Sequence, residues 1–137
     1  MEIKPATGID SLVFGMTMND AQKLFGKPEE EVKLDDIEDF QATVWHYWQN
    51  GVSLFFDEND NQHFFSVEID NLDTELWGHK IFTLKEKQII ELFKIKGFEQ
   101  SDAEMHEWGE KRVTFDALNI DFYFEKNNLV SINFGKI

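Results

Sequence analysis

Gly15-Met16-Thr17-Met18-Asn19-Asp20-Ala21-Gln22-Lys23-Leu24-Phe25-Gly26-Lys27-Pro28 reads as one short helix with its start and stop written in. Thr17 can accept a backbone N–H at the helix start, and Asp20, three residues on, completes a capping box. Gly26 suits the left-handed position just past the end, and Pro28 forbids continuation. Met18, Ala21, Leu24 and Phe25 fall on one helical face. Residues 1–14 read as a lead-in with Ile9, Leu12, Val13 and Phe14 available to pack.

After the helix comes Glu29 to Asp39, in which seven of eleven residues are acidic. This run reads as a loop with at most a short strand, and as the most negative patch of the surface. Ala42–Gln49, Val52–Asp57 and Gln62–Asp70 then read as three strands. Asn50-Gly51 is a strong two-residue hairpin signal, because a type I′ turn needs positive φ at both central residues. That turn pairs Gln49 with Val52 and Tyr47 with Leu54. One face then carries Trp45, Tyr47, Val52, Leu54 and Phe56, and the other Val44, His46, Trp48, Ser53 and Phe55. In the third strand Phe65, Val67 and Ile69 form the apolar row and Phe64, Ser66 and Glu68 the mixed one. The helix is expected on the consistently apolar face.

Past a connector at 71–81 the order recurs. Thr83-Leu84-Lys85-Glu86 has the form of a capping box, Leu84, Ile89, Ile90, Leu92 and Phe93 supply an apolar stripe, and Gly97 a stop. A polar stretch at 101–110 and strands at 112–116, 119–125 and 128–135 follow. Phe55-Phe56-Asp57-Glu58-Asn59 answers to Tyr123-Phe124-Glu125-Lys126-Asn127, and Phe65-Ser66-Val67 to Val130-Ser131-Ile132. The expectation is an α+β fold: one domain over 1–137 built of two helix-plus-three-strand (αβββ) repeats, 7–70 and 71–137, sharing one antiparallel sheet of about six strands.

The run from Gly15-Met16-Thr17 through Leu24-Phe25-Gly26-Lys27-Pro28 resembles the opening of the SmpA/OmlA (BamE-like) repeat of small outer-membrane lipoproteins. A tandem pair of such units is similar to the fold of β-lactamase inhibitor protein. The second copy departs from the pattern, with Ile81-Phe82 before its threonine and no proline after Gly97. The lipoproteins' cysteine is absent, so their membrane role does not carry over. What the resemblance implies is non-catalytic protein binding, often through an open sheet face.

The totals narrow the function. At 137 residues the chain can bury roughly 65–70% of its unfolded surface. With 14 Phe and 4 Trp it has the material for a core. No cysteine means no disulfide, thiolate zinc site or cysteine nucleophile. A formal net charge of −14 repels nucleic acid and anionic lipid and attracts a basic partner. Met1-Glu2-Ile3-Lys4-Pro5 has no apolar run, so a cytoplasmic protein is expected if Met1 is the natural start.

No phosphate loop or nucleophile elbow is present, and carboxylate pairs arise by number alone in so acidic a chain, so no enzyme is expected. His46, His63, His79 and His106 lack metal-ligand spacing. Asp57 to Gln62 resembles a calcium loop, but Gln62 stands where glycine is required; no metal or cofactor is expected. The candidate site is the open-face group His46, Trp48, Phe55, Phe64 and Tyr123, with Ser53 and Ser66 between them. Glu29, Glu30, Glu31, Asp35, Asp36, Glu38 and Asp39 form its acidic rim. The expected function is a binding module for a protein with a basic surface, in its sharper form an inhibitor or immunity protein. The alternatives are a carrier of small apolar ligands and a homodimer using the same face.

Overall fold

Thr17 starts the first helix through both halves of a capping box. Its Oγ1 accepts from the Asp20 amide at 3.2 Å and its own N–H donates to Asp20 Oδ2 at 3.1 Å. The computed structural model describes residues 1–37, 40–59 and 61–137, and the side chains of these except at 35–37 and 40. In chain order the first half runs β1 (Glu2–Lys4), β2 (Gly8–Ile9), β3 (Leu12–Val13), α1 (Met18–Phe25), β4 (Glu30–Ile37), β5 (Phe40–Tyr47), β6 (Val52–Asp57) and β7 (His63–Ile69). The second runs β8 (Glu75–Leu76), β9 (His79–Lys80), a 3₁₀ turn, α2 (Glu86–Ile95), β10 (Asp102–Met105), β11 (Glu110–Phe115), a second 3₁₀ turn, β12 (Ile120–Glu125) and β13 (Asn128–Gly135).

The chain is α+β and mostly strand, with two sheets where the sequence suggested one. The large sheet has eight strands in the order β10-β11-β12-β13-β7-β6-β5-β4, every neighbour antiparallel. The last strands of the two halves, β7 and β13, meet at its centre. The small sheet has the order β3-β2-β1-β8-β9. Its seam is a parallel pairing of β1 with β8, Ile3 opposite Leu76, so the lead-in and the connector are paired structure. The acidic run and its counterpart near residue 101 supply the two edge strands, β4 and β10. Charged side chains on an edge deter pairing with other chains, which is why a strand there can read as a loop.

One face of the large sheet is packed. Phe56, Phe64, Val67, Ile69, Val113, Phe115, Phe122, Ile132 and Phe134 come from the sheet. They meet Ile3, Ile9, Leu12, Ala21, Leu76, Ile81, Ile89 and Phe93 from the small sheet, the helices and the first 3₁₀ turn, all essentially inaccessible. Rings bind the layers together: Phe93 stacks on Phe115 at 4.1 Å and meets Phe122 edge-on at 5.4 Å, and Phe14 lies 4.9 Å from Phe64. Within α1 the fully buried residue is Ala21. Leu24, expected on the buried face, is 49% exposed.

Three local expectations are corrected. Asn50-Gly51 does not close a two-residue turn. Tyr47 pairs with Val52, and Trp48–Gly51 form a four-residue loop in which the Asn50 amide donates to the Tyr47 carbonyl. Of the loop residues only Gly51 has positive φ, +62°. The register thus shifts by two, which preserves every side chain's face. In β7 a bulge opposite Phe55/Phe56 pairs Phe56 with Phe64 and Phe55 with Ser66. The extra residue, Phe65, goes to the open face and Phe64 into the core, the reverse of the alternation. Finally, α2 starts two residues later than the Thr83 box implies. Thr83 donates its hydroxyl to the Lys80 carbonyl, and the Lys85 amide donates to Gln88 Oε1 at the true helix start.

Candidate functional site: the open face of the eight-stranded sheet

Residues directly opposite one another in a sheet share a face. From edge to edge, Asp102, Thr114, Asp121, Asn133, Glu68, Ser53, His46 and Glu30 are successive cross-strand partners. They lie on the face away from the helices. A polar row therefore crosses all eight strands without interruption, where the opposite face is almost wholly apolar.

The row is internally bonded toward both ends. His46 Nδ1 lies 2.7 Å from Ser53 Oγ, and the Thr114 hydroxyl donates to Asp121 Oδ1. Arg112 ties the β10–β12 end together, with Asp102 at 3.1 Å, Glu104 at 2.9 Å and Asp121 at 3.7 Å. Those hydrogen-bonded carboxylates, Glu104 first, hold its guanidinium proton more firmly than usual. At the centre, Glu68 and neighbouring Asp70 form no ion pair among the described residues. Partial burial, and then the like charge of Asp70, push the Glu68 pKa up, while His46 pulls it back.

Trp48 is 58% exposed at the tip of the β5–β6 loop. It is held flat against His46, centroids 4.2 Å apart and planes 11° apart. A cavity of about 130 Å³ opens here, bounded by His46, Trp48, Gly51, Ser53, Glu68 and Asp70. Across Glu68 a second cavity of about 230 Å³ is bounded by Glu68, Glu110, Tyr123, Ser131 and Asn133. The Tyr123 phenol is half-buried, and desolvation, then Asp121, raise its pKa.

The expected site residues thus separate. His46 and Trp48 stand together at one side of Glu68. Tyr123 is four strands from His46, about 19 Å at the usual strand spacing. Phe55 is half-buried on the same face beside Phe65, ring centroids 6.5 Å apart. Phe64 is fully buried on the other face and leaves the group. Ser66 donates to the Phe134 carbonyl at 3.1 Å.

The acidic rim also divides. Glu30 faces His46 on the open side, and Glu29 accepts from the Gln49 amide at 3.2 Å. Glu31 lies on the packed side, where it accepts from Trp45 Nε1 at 2.7 Å. Asp35 and Asp36 belong to β4 by backbone, and Glu38 and Asp39 lie outside the described residues. Sequence reasoning missed Asp70, Glu110 and Asn133. The signal for Asn133 was its place between Ile132 and Phe134, a polar residue alternating with core residues in a central strand.

No family model matches the chain, and no curated protein does. Solved structures resemble it in fold. A DUF4309 family protein, YjgB, from Bacillus subtilis superposes with a TM-score of 0.55 at 14% identity, covering 94% of this chain and 84% of that one. An extracellular protein containing an SCP domain, from Bacillus anthracis, superposes with a TM-score of 0.55 at 11% identity, over 99% of this chain. The chain spans 50% of that second protein's length. At these identities the likeness is one of overall fold alone.

Proposed function

We propose that the chain is a non-catalytic binding module that takes a basic protein partner on the open face of its large sheet. The observation that carries this reading is the grouping at the β5–β6 loop. An exposed Trp48, braced by His46, stands beside Glu68 and Asp70, two carboxylates with no ion pair among the described residues. Large rigid rings anchor interfaces at small entropic cost, and unpaired carboxylates beside them select a positively charged visitor. The net charge of −14 adds long-range steering. A partner whose working surface is the basic one would be blocked by such a complex, which makes an inhibitor the sharper form of the reading.

We further infer that the two halves are copies of one unit, larger than αβββ: a two-stranded hairpin, a helix and four strands. The orders β2-β3-α1-β4-β5-β6-β7 and β8-β9-α2-β10-β11-β12-β13 support this. So does the polar row. His46 and Ser53 hold the places that Thr114 and Asp121 hold 68 positions later, and both pairs are bonded side chain to side chain. The resemblance of residues 15–28 to the SmpA/OmlA repeat fits the same picture.

The test is a titration of ¹⁵N-labelled protein with cytochrome c, a small basic protein. Amide shifts should concentrate at Ser53, Glu68, Asp70 and the Trp48 loop, and fade as salt is raised. Trp48→Ala should weaken the complex by ~2 kcal/mol or more. Shifts confined to the helical layer, or an unchanged affinity in the variant, would remove the open face from the role.

A further inference from the structure

Asn133, which lines the second cavity of the open face, carries an unanswered acceptor. Asn133 Oδ1 is buried and has no hydrogen-bond partner, while the Asn133 amide group also contacts the Tyr123 phenol. A buried carbonyl oxygen left alone costs stability, so it marks a place where a donor is missing. The cavity, about 230 Å³ and open to solvent, is bounded also by Glu68, Glu110, Ser131 and Tyr123. Asn133 stands directly opposite Glu68, and Tyr123 opposite Ser131, so the positions are fixed by the ladder of three adjacent strands.

In this pocket Glu68, Glu110 and Asn133 Oδ1 can only accept, while the Ser131 and Tyr123 hydroxyls can donate or accept. Glu68 and Glu110 have no ion pair among the described residues. Arg112, whose charge reaches Tyr123, is already held by Asp102, Glu104 and Asp121. What fits is a planar cation with several N–H donors and a face to lay on an aromatic ring. A guanidinium has five such donors in a fixed fork and stacks on rings; an ammonium is a more strongly hydrated point charge.

We propose that this cavity receives the guanidinium of an arginine side chain of the partner, bonded by Glu68, Glu110 and the Asn133 amide oxygen and stacked on Tyr123. The assignment rests on the reading of the open face as a basic-protein site and names the chemistry of its second anchor, across Glu68 from Trp48.

Calorimetric titration with hexa-arginine and hexa-lysine peptides at one salt concentration tests it. Hexa-arginine should bind the more tightly. Glu68→Gln and Asn133→Leu should each weaken it about tenfold, while Glu99→Gln, a charge removed from an exposed loop, should change it less than twofold. Asn133→Leu alters no charge, so its effect separates the cavity from the general negative field. Equal affinity for the two peptides, no measurable binding, or either variant binding as well as Glu99→Gln would overturn the assignment. The cytochrome c map would stand through that failure. Its own failure, with shifts away from the open face, would be seen independently of either peptide.

Discussion

Thr43 shows how much one hydroxyl can organise. It is fully buried, and its hydroxyl donates to Glu58, which also accepts from Lys33 Nζ at 3.0 Å and Gln62 Nε2 at 3.1 Å. Three donors on one carboxylate, Thr43 first, hold its pKa down at about 2 against an ordinary 4.5. The charged form is thus favoured by folding. Its contribution to stability is complete above pH 4.5 and lost as pH falls from 4.5 toward 2. Thr43→Val keeps the shape and removes the donor. It should cost about 1–2 kcal/mol in urea unfolding at pH 7 and flatten the decline of stability between pH 4.5 and pH 2. An unchanged acid limb would mean that Thr43 does not set the Glu58 charge. At this scale the sequence was read well where a residue obeys its strand. His46, Trp45 and Tyr47 stand on the faces that alternation gave them. Phe64 and Phe65 exchanged places because a bulge adds one residue to β7, and two adjacent phenylalanines carry no mark of which one is extra.

Elements were legible in proportion to how local their causes are. The first helix runs from the cap at Thr17 to Gly26 because a hydroxyl, a carboxylate and a glycine within ten residues decide it. The β5–β6 loop was placed correctly but closed wrongly. Asn-Gly favours a two-residue turn, yet the chain spends Trp48 and Gln49 in the loop as well, which puts the Trp48 ring on His46. Gly51 is still required. At φ +62° a side chain there would stand 2.8 Å from the Asn71 amide nitrogen and 2.9 Å from its Cα. Gly51→Ala should therefore destabilise the fold by roughly 1–3 kcal/mol, measured by thermal unfolding; a neutral result would place the constraint elsewhere. The edge strands β4 and β10 and the small sheet were not legible. Their pairing partners are distant in sequence, and residues that protect an edge look like those of a loop.

As a whole molecule the chain divides its two large surfaces by chemistry: rings and aliphatic groups against the helices, and a bonded polar row toward solvent. That division followed from alternation in the sequence. The count of strands, and the cavities either side of Glu68, depended on how the halves meet. They meet along β7–β13, where four residue pairs from Ile69–Ile132 to Ser66–Gly135 are in register, and again where β1 lies beside β8. The covalent link between the halves is a short connector whose tip, Leu72, is 72% exposed. Continuity of the chain at that point should therefore be dispensable to the assembled form, and loss of the native elution position on nicking would show that it is not. A protein nicked by protease between Leu72 and Asp73 should elute from a sizing column as one species under native conditions and separate only in denaturant. Fragments 1–72 and 73–137 made as two polypeptides should find each other, so the scaffold can serve as a split reporter whose signal depends on reunion.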